Sequence, residues 1–359
     1  MAHTVSSPRL LTALDGSHRM TPDVWLLRDP PVQMPIVDGS VTASYLQQTA
    51  RTATLGVDTQ VLTSLDVSTL SDVVMIRTGV TDIEMVPVFT GRVDSVDDDD
   101  TGMVTIHCVD RGADIIRARF EVPWAVTAGK SVVSEIRKII QDVDSSFVLD
   151  VEPNVTDLLT PVMVFGEDRG GALDELASSL NSVWTANRYG SLSLFRNPYS
   201  ISTEIASVAV ITDGANGRIS RYARNVAREN IANSVTLIVE RSDGSDPIRV
   251  TERDDDPTSG TYWGGTFGKQ NIIVSNATPR NETSARVLAR RILNQSLAVM
   301  RTWRIETPHY PILDPGDVIT VDYGGDVTQQ VVEGITYPLM AADSGMLTTR
   351  ELQMLSLAS

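Results

Sequence analysis

Residues of a type that could bind phosphate, hold a metal or attack a bond occur throughout this chain, and spacing decides what each can do. Ala128, Gly129, Lys130 and Ser131 open a helical stretch, where unpaired backbone N–H groups attract phosphate. A phosphate-binding loop also needs a glycine about five positions before the second one, and Trp124 stands there instead. From Gly264 to Lys269 the spacing is again wrong, and Gln270 replaces the hydroxyl residue. Both stretches read as ordinary structure. Asp94, Asp97, Asp98, Asp99 and Asp100 supply the oxygens calcium prefers, without the fixed spacing and glycine of an EF-hand loop. They fall where a hairpin turn is expected and read as a solvated acidic turn, as do Asp254, Asp255 and Asp256. His3, His18, His107 and His309 are scattered, with no pair at ligand spacing. A Gly-x-Ser-x-Gly elbow is absent, and Cys108 sits in a strand pattern as a small buried apolar residue. As the only cysteine it excludes an internal disulfide and leaves a thiolate zinc site unsupported. We therefore expect no enzyme activity, no catalytic or metal residue and no cofactor. Glycosidase-type carboxylate pairs meet only in the fold, so the sequence leaves them open.

One cluster remains. Tyr262, Trp263 and Phe267 lie in a glycine-rich loop. Such a loop suits contact with another subunit, packing as a lid on its own domain, or a sugar platform. The first is the expected role.

The elements that position these residues follow from composition and periodicity. The chain has 359 residues, 42% apolar and 21% charged, enough for two or three domains with real cores. Its net charge of −16 argues against a general affinity for nucleic-acid phosphate or anionic membrane. No membrane span and no signal peptide are expected. Apolar residues at helical spacing mark a helix carrying Val132, Val133, Ile136, Ile139, Ile140 and Val143. A second begins near Arg169, with Leu173, Leu176, Ala177 and Leu180 inward. A third runs from about Asn281 to Met300, with Thr278 as N-cap and Pro279 in first position.

The remainder is β, and its C-terminal part reads as a meander. Asp314, Pro315 and Gly316 turn, Asp317–Tyr323 alternates, Gly324 and Gly325 turn back, Val327–Ile335 returns, and Met346–Leu355 follows. Asp72 to Gly79 has the spacing of Asp317 to Gly324, and Gly91 to Gly102 that of Gly334 to Gly345. This suggests an internal repeat. The expected fold class is α+β, mainly antiparallel β: two small β-barrel domains related by the repeat, with a small α/β domain between them. The expected boundaries are an N-terminal segment over 1–20, a first barrel over 21–120, the α/β domain over 121–212, and a second barrel over 213–359. An insertion over 252–300 carries the aromatic loop and a helix.

Several pieces, in order, resemble the tail hub or baseplate hub (tail-associated minor tail) proteins of tailed bacteriophages, in particular those of actinobacteria. They are Ile36–Val41 with Ala50–Leu55, Val88–Val93, Cys108–Arg111, Ala172–Leu180 leading to Tyr189–Leu192, Ala227–Asn230 with Asn233–Val235, and Leu313–Asp317. The likeness runs from about residue 15 to the C-terminus. It implies a structural virion protein, a homotrimer whose paired barrels present six modules to a six-fold tail tube and three-fold symmetry beyond it. The implied partners are a distal tail or tail-tube protein, the tape-measure protein and other tail-tip or fibre proteins. Genome DNA would pass through the lumen without specific binding. Implied too are assembly in the host cytoplasm and a place at the virion tail tip. Against this stand a glycan-binding or glycan-hydrolysing β-protein, resting on the acidic composition and the Trp263 cluster, and an assembly chaperone absent from finished particles.

Overall fold

The computed structural model describes residues 8–14, 16, 19–45, 47–98, 102–200, 206–214, 217–226, 231–239, 246–275, 281–298 and 301–352. The first stretch contains α1 (Pro8–Leu14), β1 (Met20–Leu26), β2 (Val32–Gln33), β3 (Asp38–Ser44), β4 (Arg51–Asp58), α2 (Thr59–Leu65), β5 (Val73–Val80), β6 (Glu84–Asp98), β7 (Met103–Asp110) and α3 (Gly112–Arg117). Next come β8 (Trp124–Val126), α4 (Val132–Val143), β9 (Leu149–Val151), β10 (Met163–Phe165), α5 (Arg169–Ser179), β11 (Ser182–Ala186) and β12 (Leu192–Arg196). The chain then gives β13 (Ala209–Thr212), β14 (Arg221–Val226), β15 (Ser234–Val239), β16 (Ile248–Arg253), β17 (Asn271–Ser275) and α6 (Glu282–Ala298). It closes with β18 (Arg301–Thr307), β19 (Val318–Tyr323), β20 (Asp326–Pro338) and β21 (Gly345–Glu351).

The architecture is mainly antiparallel β with helices. Alternation in the strands is that of a surface buried on one face: in β4, Ala53, Leu55 and Val57 point inward between exposed Thr52 and Thr54. In β7 the inward set is Val104, Ile106 and Cys108, and burial pushes the thiol up to about 12.

The described strands show no closed barrel. They make one 13-stranded sheet in the order β14-β18-β21-β20-β3-β4-β7-β6-β5-β1-β2, with β13 and β19 branching from β20. The reason lies in strand length. β20 has 13 residues and its hairpin partner β19 only six, so the far end of β20 outruns β19. β3 takes that open edge, pairing Gly334–Pro338 with Ser40–Ser44. One core accordingly joins both parts, Val41, Leu55 and Val88 packing with Trp303, Ile305, Ile319 and Val332.

Within this sheet the strand order occurs twice, as β3-β4-β7-β6-β5-β1 and as β14-β18-β21-β20-β19-β13. One rung runs through Thr42, Thr52, Val109 and Arg92; its counterpart runs through Asn225, Thr302, Arg350 and Val331. A register shift falls at the same rung in each, between Val93 and Ser95 and between Val332 and Gly334. The Val93 N–H donates to Asp72 O at 3.2 Å, as Val332 N–H does to Asp317 O at 2.8 Å. This register corrects the glycine spacing: Gly91 corresponds to Gln330, and Gly334 to Ser95. The glycines answer local needs. A Cβ on Gly91 would lie 2.1 Å from Val109 O, whereas one on Gly334 would meet nothing nearer than 3.5 Å. The copies also differ, for β1 runs antiparallel to β5 and β13 parallel to β19.

Two further layers have cores of their own. Buried Val132, Ile136, Ile139 and Ile140 of α4 pack with Leu173, Leu176 and Ala177 of α5 on the sheet β11-β12-β9. Ser131 caps α4, accepting from Ser134 N–H at 3.0 Å. In the insertion, Ala285, Leu288, Ala289, Leu293 and Leu297 of α6 cover the sheet β16-β15-β17. β15 is the central strand of that layer's sheet. The α6 cap is Asn281, whose side chain accepts from Ser284 N–H at 2.8 Å; Thr278 and Pro279 lie outside the described residues. Among the described residues no helix is long and apolar enough to cross a membrane.

Candidate functional site

Charge is concentrated where the two copies of the strand order meet the α/β layer. The turn foreseen at Asp314–Gly316 forms, with Gly316 at φ +92 and its N–H donating to Val332 O at 2.7 Å. It aims the carboxylate of Asp314 inward, where the residue is 4% exposed. Arg51, at the inward position two before Ala53, donates through Nη2 to Asp314 Oδ1. Arg188, in the turn between β11 and β12, places Nη2 at 3.1 Å from the same oxygen and donates to Pro311 O and Leu313 O, each at 2.7 Å. The Tyr337 hydroxyl on β20 reaches Leu313 O at 2.6 Å. Arg51 also reaches Ala186 O and Val88 O, both at 3.3 Å, and the Thr90 hydroxyl donates to Arg188 O at 2.9 Å. Burial opposes ionisation of Asp314, but the two guanidinium groups outweigh it and hold the carboxyl down at about 2. Nearby Asp110 is pushed up to about 6 by burial, although it accepts from the backbone N–H groups of Arg51 and Gly112. Each charge here is already engaged, so the cluster clamps three layers together and offers no free base or nucleophile.

A cavity of about 480 Å³ opens beside the clamp, bordered by Glu84, Pro87, Asp150, Arg188, Tyr189 and Ile312. Two of its carboxylates are committed to structure: Asp150 accepts from the Asn187 amide at 3.0 Å and Glu152 from Arg196 N–H at 3.1 Å.

The aromatic loop is tied down from within. Asp254 is fully buried, contrary to a solvated turn, because it accepts from Ser259, Thr261 and Asp256 N–H. The Asn233 amide donates to Thr261 O and Gly268 O, each at 2.8 Å. Phe267 packs on the core of its own layer. Trp263 is half-buried, with the Arg253 guanidinium 5.0 Å and the Lys269 ammonium 5.5 Å from its ring. Tyr262 is half-buried beside Gly264.

The remaining candidates lose their chemistry in the fold. At the start of α4, Gly129 N–H donates to Thr160 O, Val132 N–H to Leu158 O, and Val133 N–H to Asp157, which leaves no cradle for phosphate. β6 extends to Asp98, so Asp94, Asp97 and Asp98 lie on a strand and not in a turn. Asp94 pairs with Arg117 at 2.6 Å and Asp97 with His107 at 3.1 Å. Asp99, Asp100, His3 and His18 lie outside the described residues. His309 is buried against the Thr78 hydroxyl at 3.0 Å. Among the described residues no group of three metal-type ligands gathers. Sequence reasoning missed Arg51, Asp110 and Arg188. The signal for Arg51 was its place on the apolar face of β4; for the other two there was none.

No family model matches the chain, and no curated protein matches its sequence. Solved structures do. A tail protein from Neisseria meningitidis superposes with a TM-score of 0.70 at 14% identity, over 94% of this chain and 97% of that one. The 43 kDa tail protein of prophage MuSo2 from Shewanella oneidensis gives 0.67 at 12% identity, over 92% and 98%. Prophage tail protein gp18 from Listeria monocytogenes gives 0.59 at 11% identity, over 91% and 94%. At such identities the likeness establishes a shared fold.

Proposed function

We propose that the chain is a structural virion protein, the homotrimeric hub at a phage tail tip that adapts a six-fold tail tube to a three-fold tip. The observation that carries this reading is the doubled strand order with matched rungs and bulges. Two similar modules per chain let three chains offer six similar faces. The tail-protein fold of the structural neighbours and the clamp's lack of a free reactive group agree with it. In this reading each strand set is one barrel-like module of an ancestral duplication, and the lumen of the ring passes the tape-measure chain and then DNA. The net charge of −16 keeps that polyanion from sticking. The face that meets the tube contacts a distal tail or tail-tube protein. The loop with Tyr262 and Trp263 contacts a neighbouring chain.

Light scattering on the purified chain, followed by imaging of its particles, tests the proposal. A particle of three chains with pseudo-six-fold density is expected. A monomer at every concentration, or saccharide turnover abolished by a single carboxylate substitution, overturns it. Absence of the chain from virions by mass spectrometry overturns the virion assignment.

A further inference from the structure

We propose that copies of the chain join edge to edge, the far end of β6 in one copy pairing antiparallel with β14 of the next. This deepens the trimer reading and rests on it. The template lies inside the chain, where β20 outruns β19 and its exposed edge is taken by β3. Both partners of that junction have counterparts in the other strand set. β6 corresponds to β20, and its pairing with β5 ends at Val73–Arg92 and the Val93-to-Asp72 bond. From Asp94 to Asp98 no strand covers that side among the described residues. β14 corresponds to β3, and among the described residues it ends the sheet, paired on one side with β18. Its residues from Arg221 to Asn225 are exposed.

Register transfers rung by rung. Inside the chain, Ile335 faces Ala43, Thr336 faces Thr42 and Tyr337 faces Val41. The matched rungs turn these into Val96 facing Val226, Asp97 facing Asn225 and Asp98 facing Arg224 across two copies. The buried apolar pair Tyr337–Val41 thus becomes an ion pair. Asp97 and Asp98 are exposed on the β6 edge, and Arg221 and Arg224 on the β14 edge. Arg224 has its in-chain carboxylate, Asp326, at 4.0 Å. Opposite charges on facing rungs favour β6 against β14, while β14 against β14 sets arginine toward arginine and β6 against β6 sets aspartate toward aspartate. The exposed Asp98 and Arg224 are accounted for together as the two sides of one junction.

The test uses the full chain, whose one native thiol, Cys108, is 1% exposed. Facing residues of an antiparallel pair hold their Cβ atoms about 4.5–5.5 Å apart, near disulfide reach. Asp97→Cys combined with Asn225→Cys should, on oxidation, give covalent oligomers ending at three chains on a non-reducing denaturing gel. Asp97→Cys with Tyr222→Cys, three rungs out of register by about 10 Å, should not. Separately, Asp98→Arg should raise the concentration for half-assembly about tenfold, and adding Arg224→Asp should restore it. Trimers by light scattering without linkage of the matched pair, or with equal linkage of the shifted pair, overturn the ladder and leave the trimer standing. Monomers at every concentration overturn both. Where Asp98→Arg fails to fold by circular dichroism, the cysteine pairs alone decide.

Discussion

Replacing Asp314 by asparagine keeps the size of the side chain and removes the one negative charge shared by Arg51 and Arg188. Both arginines are nearly inaccessible, 2% and 6% exposed, so solvent cannot take over. They keep their carbonyl partners at Ala186, Val88, Pro311 and Leu313, but two positive charges then face one another without the carboxylate between them. Removing one member of a buried ion pair costs about 3–5 kcal/mol. The depressed carboxyl gives an independent figure: a drop from 3.8 to about 2 corresponds to about 2–3 kcal/mol. A folded pKa below the unfolded one supplies stability above about pH 4 and loses it as pH falls toward 2. The wild-type chain and Asp314→Asn should therefore differ by about 3 kcal/mol at pH 7, and the gap should close between pH 4 and 2. Urea unfolding followed by tryptophan fluorescence measures this, since Trp303 sits in the shared core. A difference below about 1 kcal/mol at pH 7, or one that stays constant down to pH 2, refutes the account of the clamp.

Further outcomes follow from other residues. Gly91→Ala should cost about 2 kcal/mol or more, because the new Cβ would sit 2.1 Å from Val109 O and 2.6 Å from the Phe89 ring. Gly334→Ala should change stability by less than about 1 kcal/mol, and thermal melts compare the two. Asp110, held at about 6 by burial, binds its proton more tightly folded than unfolded. Stability should therefore rise by up to about 3 kcal/mol as pH is lowered from 7 toward 4, and Asp110→Asn should flatten that rise in urea midpoints. Trp263→Ala should leave the urea midpoint nearly unchanged yet reduce the recovery of trimers in light scattering, if the loop meets a neighbouring chain as proposed.

What the sequence disclosed depended on how local each signal was. The α4 and α5 faces were legible because apolar residues recur every three or four positions over three turns. α2, seven residues with none buried, carried no such pattern and was missed. The meander around Asp314 was legible from its turn glycines, Gly316, Gly324 and Gly325, all at positive φ. Glycine spacing pairs the two strand sets wrongly at Gly91, whose reason is contact with Val109 and Phe89. The pairing that joins the two strand sets had no local signature: β20 and β3 lie far apart in the chain and meet only through matching lengths and edges. The clamp was hidden for the same reason, apart from Arg51 standing in line with Ala53, Leu55 and Val57.

The span of that clamp has a consequence for the order of synthesis. Arg51 and Asp314 are 263 positions apart, so the N-terminal strands leave the ribosome long before the carboxylate that balances their buried arginine exists. The outer edge of β3 waits equally long for β20. What emerges first can collapse locally but stays provisional, its cation unneutralised and its strand edge bare. The arrival of Asp314 and β20, rather than of the first strands, is the event that locks this part of the fold.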